Sequence, residues 1–348
     1  MIKRSIPYIV LVVLLSACDS IRYVSIDTYK PAEIIFPGNV STVLIVNNAV
    51  PQPSDTGYEY SLFGVKQDTA RASADSALFD ACRSLGEAIM ETDYFNDVLL
   101  LHEPLRKDNN FLHDERLSKD EIDALYNETG ADAIISIDRL LFHMNKEVLA
   151  FKEGYLGGYV KVKVNGIMRA YAPGRETALA TVIVSDSLDW FEYAYSLEAM
   201  KDVIVSPDAA LRLAGEYIGG LSSPNFVPYW QRETRWYYTD SSADWRRATA
   251  YVESDKWEQA NSLWQKIYNS SNKPKIKAKA ASNIAFYLEL KSEFREAHDW
   301  ALKASTLFKE HSGEGSDDYK RLSQYVAALL ERIKDDKKLN MQLGNQIP

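Results

Sequence analysis

Thr129-Gly130-Ala131-Asp132-Ala133-Ile134-Ile135-Ser136-Ile137 reads as the end of a helix passing directly into a buried strand. Glycine stops a helix by taking the left-handed conformation at its carboxyl end, and the small residues after it let the strand enter a tight core. Ala133 to Ile137 is apolar on both faces, the pattern of a central strand. Upstream, Leu117 to Thr129 has helical spacing, with Ser118 as amino-terminal cap and Glu121 completing a capping box. Downstream, Val160, Val162 and Val164 alternate with Lys161, Lys163 and Asn165, which predicts a half-exposed strand. Ala172-Pro173-Gly174-Arg175 turns the chain, and Leu179 to Ser185 returns as its partner. Gly154-Tyr155-Leu156-Gly157-Gly158 reads as a flexible loop between strands.

Further out, Thr42 to Val46 and Asp97 to Leu101 read as strands. Between them Leu78, Ala81, Cys82, Leu85 and Ile89 make one apolar helical stripe, which places Cys82 in a core as an inert thiol. A helix with Pro207 in its first turn runs to about Leu221. The order is β-α-β-α-β, a hairpin, then α. The second half has another texture. Ala248, Tyr251, Trp257, Ala260 and Trp264 match Ala285, Leu288, Phe294, Ala297 and Ala301 at a constant spacing of 37 residues, with Asp255 or Ser292 in the turn of each unit. Tyr319 to Lys334 adds a further helix with a charged outer face, and the last residues read as frayed. The fold class expected is therefore α+β: a mixed-sheet α/β domain followed by an all-α helical-repeat domain.

Three resemblances extend this reading. The phrase Thr129 to Ile135, with the element order around it, resembles the amino-terminal α/β domain of curli-secretion-type and TolB-type envelope lipoproteins over residues 40–222. That resemblance implies an assembly or interaction domain without catalytic residues. The 37-residue units resemble tetratricopeptide repeats, whose usual period is near 34. Alanine stands at 248 and 285 where such repeats carry glycine. The likeness implies a concave protein-binding surface, and it places Asn283 where many repeats hold an amide that hydrogen-bonds the ligand backbone. At the amino terminus, Lys3 and Arg4, the apolar run Ile6 to Leu15, and Leu15-Ser16-Ala17-Cys18 resemble a lipoprotein signal with its lipobox. This implies removal of residues 1–17 and acylation of Cys18. The combination resembles envelope lipoproteins of gut-type Bacteroidota.

The expected layout is a signal peptide (1–17), a tether (18–39), the α/β domain (40–222), an aromatic-rich connector (223–242) and the helical domain (243–340). The chain of 348 residues carries a net charge of −9, and removing residues 1–17 takes away Lys3 and Arg4 to leave −11. Such an acidic chain is a poor partner for phosphate backbones, and nucleic acid is not expected. With Cys18 acylated, Cys82 is the one remaining cysteine, and no intramolecular disulfide can form. The five histidines are scattered, His113-Asp114-Glu115 reads as a solvated loop, and no nucleophile elbow, phosphate loop or metal-ligand spacing is present. No catalytic residue, metal or cofactor is expected. Partner-binding candidates are Asn283, Trp236, Tyr237 and Tyr238, within a stretch where Trp230 to Trp264 holds five of the seven tryptophans. Packing competes with binding for all of them. The expected function is a lipid-anchored envelope scaffold, at the outer membrane facing the periplasm, which docks an envelope protein or peptide. Glycan binding through exposed aromatics is the alternative, and a hydrolase ranks last.

Overall fold

The computed structural model describes residues 21–67 and 71–344. The first element is a strand, β1 (Ile21–Lys30), in the stretch expected as a tether. Val24, Ile26 and Thr28 are sheltered and alternate with exposed Tyr23, Ser25 and Asp27, the period of a strand with one covered face. Then follow β2 (Thr42–Asn47), the short hairpin β3 (Tyr58–Leu62) and β4 (Val65–Gln67), α1 (Asp75–Met90), β5 (Asp97–Leu100) and α2 (Lys119–Thr129). Three long strands come next: β6 (Ala133–Ala150), β7 (Leu156–Tyr171) and β8 (Ala180–Ala194). Two helices, α3 (Leu197–Val203) and α4 (Pro207–Leu221), and a 3-10 turn at Ser223–Asn225 lead to β9 (Tyr229–Tyr238). The stretch expected as a connector is thus largely a strand, and β9 pairs with β1. Five helices finish the chain: α5 (Ala243–Glu253), α6 (Trp257–Ser270), α7 (Pro274–Leu290), α8 (Phe294–Ser312) and α9 (Asp317–Gln342). The class is α+β.

Two units divide these elements, one of residues 29–230 with 337–344 and one of 21–28 with 231–336. In the first, β6 is the spine. One edge of β6 pairs parallel with β2 over Ala133–Ile137 and, further along, parallel with β3 over Met144–Val148. The other edge pairs antiparallel with β7 along nearly its whole length, and β7 in turn pairs with β8. Ser118 caps α2 with both halves of the capping box formed, and Gly130 closes the helix at φ 70°.

The register between β6 and β7 slips by one residue between Ile137 and Arg139, so Asp138 is an extra residue with no opposite number. A side-chain period of two makes such a bulge reverse the faces of everything beyond it. Before the bulge Ala133, Ile135 and Ile137 point into the main core, and after it Leu140, Phe142 and Met144 do. The faces are covered unequally. Ile134 packs with Ile122 and Leu125 of α2 in a smaller cluster, whereas beyond the bulge the strand is covered on the main-core face only.

The main core is roofed by α1 and α4, which cross so closely that a Cβ on Gly215 or Gly219 would collide with the carbonyl oxygens of Ala77 and Ala81. Cys82 lies in this core, 1% exposed, and burial pushes its thiol up to about 12. The carboxyl end is anchored too. Gln342 accepts from the Ala32 amide (3.1 Å) and donates to the carbonyls of Ala32 and Ile34 (3.0 Å each).

In the second unit, α5 with α6 and α7 with α8 are two helical hairpins of the same design. Asp255 and Ser292 turn them with φ of 57° and 60°. The bonds repeat as well: Lys256 N–H to Tyr251 C=O in one turn and Glu293 N–H to Leu288 C=O in the other. Ala248, Ala285, Ala260 and Ala297 are fully buried, and Trp264 of the first copy and its counterpart Ala301 of the second are both buried as well.

Replacing Gly219 by leucine forces α4 off α1, and we expect a loss of about 3 kcal/mol or more, read from the urea midpoint of the purified protein. An unchanged midpoint would show that the crossing has room to open.

Candidate interaction site

Cys18 lies outside the described residues. The four aromatic and amide candidates lie in the helical unit, and three of them are buried. Asn283 is fully buried, its Oδ1 accepting from the Tyr238 amide (2.7 Å) and its Nδ2 donating to the Tyr238 carbonyl (2.8 Å). Both ends of the amide are used to stitch the end of β9 to α7, which leaves no edge for a ligand backbone. Tyr238 is 1% exposed and donates its hydroxyl to Asp318 (2.9 Å), and burial raises its pKa. Tyr237 is 6% exposed and packs against Trp257 and Trp264. Trp236, half-buried, meets Tyr325 edge to face at 5.3 Å. Beside it, Arg235 donates to both carboxylate oxygens of buried Glu289 (2.9 and 2.8 Å), and Tyr325 donates to the same carboxylate (2.7 Å). The aromatic-rich stretch is therefore a strand packed on helices. Trp230 alone of this group stands out, 69% exposed, with its ring 4.9 Å from that of Tyr29.

In the α/β unit a polar network lies where β2 and the first part of β6 end. The bulge turns Asp138 into it, fully buried, to accept from Ser136 (2.7 Å), Asn48 (3.0 Å) and Arg169. Burial raises the Asp138 pKa against these three donors. Arg169 also donates to the carboxylate and carbonyl of Asp114, and it holds the Asp114 pKa below its ordinary value. Asn48 reaches the Glu115 carbonyl (2.7 Å). The stretch His113-Asp114-Glu115, expected to be a solvated loop, is thus lashed to the sheet through Asp114 and Glu115. Each acid in the network faces a donor, so it serves as an internal clamp rather than an acid–base pair open to substrate. Among the described residues no group of histidine, cysteine or acidic side chains is placed to hold a metal. No helix among them is long and apolar enough to cross a membrane.

The exposed apolar groups gather elsewhere, at the far end of the β6–β7–β8 arm. Gly157 and Gly158, expected in a loop, lie in β7, and both faces of the strand need them. A Cβ on Gly157 would strike the rings of Phe151 and Phe191, and one on Gly158 would strike Met200 and Ile204 of the α3 region. Over this thin spot Phe151 stacks on Tyr155 at 5.0 Å, and Tyr193 stands edge-on to both Tyr155 (5.3 Å) and Phe191 (4.6 Å). Tyr193 and Tyr195 are 60% and 89% exposed. With Tyr155 and Ala194 they line a hollow of about 290 Å³ that has no charged side chain in its wall. The sequence signal is the run Trp190-Phe191-Glu192-Tyr193-Ala194-Tyr195, which alternates outward only if β8 continues beyond Ser185.

At the other end of β8 lies a groove of about 560 Å³ between residues Glu33–Ile35 and Leu179–Ile183. Ile183, 80% exposed, stands on its rim. Among the described residues β8 pairs with β7 alone, so its outer edge has no strand partner along its fifteen residues and faces Glu33–Ile35 across the groove at one end.

A mixed sheet with one long antiparallel arm, joined in sequence to paired helical hairpins, defines a two-part α+β protein. The chain belongs to the family described as Domain of unknown function (DUF8603), whose model matches residues 40–238, more than half of the chain. A second model, Domain of unknown function (DUF6340), matches residues 246–331. No curated protein matches the chain.

Replacing Asn283 by leucine leaves the Tyr238 amide and carbonyl buried without partners. We expect a loss of about 2–4 kcal/mol in chemical denaturation. Membrane capture of partners at a temperature where the variant stays folded should be unaltered; a selective loss of capture with unchanged stability would return Asn283 to a binding role.

Proposed function

We propose that this protein is a lipid-anchored envelope interaction module, held at the outer membrane through acylated Cys18, facing the periplasm and docking an envelope protein. The observation that carries this reading is the aromatic end of the β6–β7–β8 arm. Phe151, Phe191, Tyr193 and Tyr195 remain exposed there although the same unit buries an extensive core. Clustered exposed rings of this kind are what interfaces use as anchors, because they bury much area for little lost side-chain freedom. The lipobox-like start favours a membrane address, and confinement to a surface raises the effective concentration of partners there. The tetratricopeptide-like hairpins α5–α8 add a second, helical module of the kind that scaffolds use.

A second reading, recognition of a neutral glycan, is favoured by the hollow beneath Tyr155, Tyr193 and Tyr195. Its uncharged wall and phenolic rims suit the face of a sugar ring, and its volume is of the order of one or two such rings.

One experiment separates the readings. The full chain, its Cys18→Ser variant and a Tyr193→Ser/Tyr195→Ser double variant are expressed in cells. Membranes are then cross-linked and captured. Cys18→Ser should move the protein from the membrane to the soluble fraction. The double variant, still membrane-bound, should lose cross-linked proteins that the unsubstituted chain retains. Retention of the same proteins by the double variant would overturn the arm as the docking site. Binding of neutral polysaccharide that the double variant abolishes would establish the glycan reading instead.

A further inference from the structure

We propose that β8 is a self-association edge, and that two copies of this chain pair antiparallel through it about a two-fold axis at Ser187. An open edge of fifteen residues offers a row of backbone donors and acceptors, and proteins that stay monomeric usually shorten or cover such an edge. Three observations point to a second copy as its occupant. The first is charge. The acids of β8 are Asp186, just before its midpoint, and Asp189 and Glu192, after it. Antiparallel pairing about Ser187, the midpoint of the strand, sets them against Leu188, Ser185 and Val182 of the other copy. No like charges stand directly opposite one another in the paired strands, and all fifteen residues are paired. Moving the axis to residue 186 or 189 would put Asp186 or Asp189 against itself, which a cross-strand pair does not tolerate cheaply.

The second observation is the fit of the two ends. The same register sets Ile183 opposite Phe191 of the other copy and Thr181 opposite Tyr193. The groove between Glu33–Ile35 and Leu179–Ile183 therefore receives the aromatic end of the partnering strand, and its own aromatic end fills the symmetry-related groove. An isologous interface requires this reciprocity, since each patch must be complementary to itself under the rotation. The third is facing. Ile183, Ser185, Phe191 and Tyr193 all lie on the solvent-facing side of the arm, so an even-sum register keeps exposed face beside exposed face and joins the two arms into one continuous sheet. This inference competes with the docking reading for Phe191 and Tyr193, which the pairing covers, and leaves Tyr155 and Tyr195 outside the paired strands.

The test uses the full chain in membranes, with Ser187→Cys placing two thiols across the axis. The unsubstituted chain, carrying only Cys18 and buried Cys82, sets the background. Mild oxidation should convert most of Ser187→Cys to a reducible dimer. Adding Ile183→Lys, a change at an exposed position, should lower that fraction about tenfold, the equivalent of 1.4 kcal/mol. His143→Cys, on the exposed face two strands from the edge, should stay at background. Sedimentation of the detergent-solubilised protein should show a dimer that Ile183→Lys dissociates. Background cross-linking at Ser187→Cys, equal cross-linking at His143→Cys, or a monomer at every concentration would each overturn the proposal. So would a foreign protein, rather than a second copy, as the partner joined to Ser187→Cys.

Discussion

One extra residue, Asp138, sets the plan of the α/β unit. Without it the odd-numbered side chains of β6 would go on facing the main core, which would bring Arg139 and His143 into it and turn Leu140, Phe142 and Met144 to the other face. The bulge lets a single strand serve two settings: the first third sits between helical layers, and the rest is covered on one face only. It also turns a carboxylate inward, which is costly unless donors surround it. Ser136, Asn48 and Arg169 supply them, and Arg169 then has a hand free for the loop at 101–118. Strand geometry, the buried charge pair and the fixing of that loop are consequences of the same insertion.

Two sets of buried polar groups in the helical unit are closed in the same fashion. Arg235, Glu289 and Tyr325 satisfy one another, and Asn283 is used at both ends by one residue's backbone. Groups so occupied hold structure and offer little chemistry to an outside molecule. Apart from these lie the rings at one end of the arm, a groove at the other, and the unpaired strand edge that joins them. Glycine does the local work there, since Gly157 and Gly158 thin the strand enough for rings to lie on one face and Met200 on the other.

Much of the fold can be read from local signals that the tertiary structure leaves unopposed. The capping box at Ser118 and Glu121, the glycine stop at 130 and the proline start at 207 all act within a turn or two. The 37-residue spacing is equally legible because both copies use the same turn, down to a left-handed residue at 255 and 292. What escapes is set by distant partners. Asp138 looks like the end of a strand until Arg169 and Asn48 are brought to it. Ile21 to Lys30 has a strand's alternation, but its role depends on β9, some two hundred residues away. The analogy with a ligand amide misplaces Asn283, whose ligand is the protein's own strand. Ending β8 at Ser185 hides the exposed rings at 191, 193 and 195.

The pairing of β1 with β9 has a consequence for how the chain assembles. The helical unit takes residues 21–28 from before residues 29–230 and residues 231–336 from after them, so the bulk of the α/β unit is inserted within its host, and residues 337–344 return to the α/β unit after it. During synthesis the first strand of the host emerges early and has no partner until β9 has followed. Closing a loop of some two hundred residues costs roughly 2–3 kcal/mol more in chain entropy than closing one of ten. Prior folding of the inserted unit removes most of that cost, because it gathers the intervening chain and leaves a far shorter effective loop. Order of synthesis and order of folding thus favour the same sequence of events, with the inserted residues 29–230 first, their host completed around β9 next, and residues 337–344 closing onto Ala32 and Ile34 last.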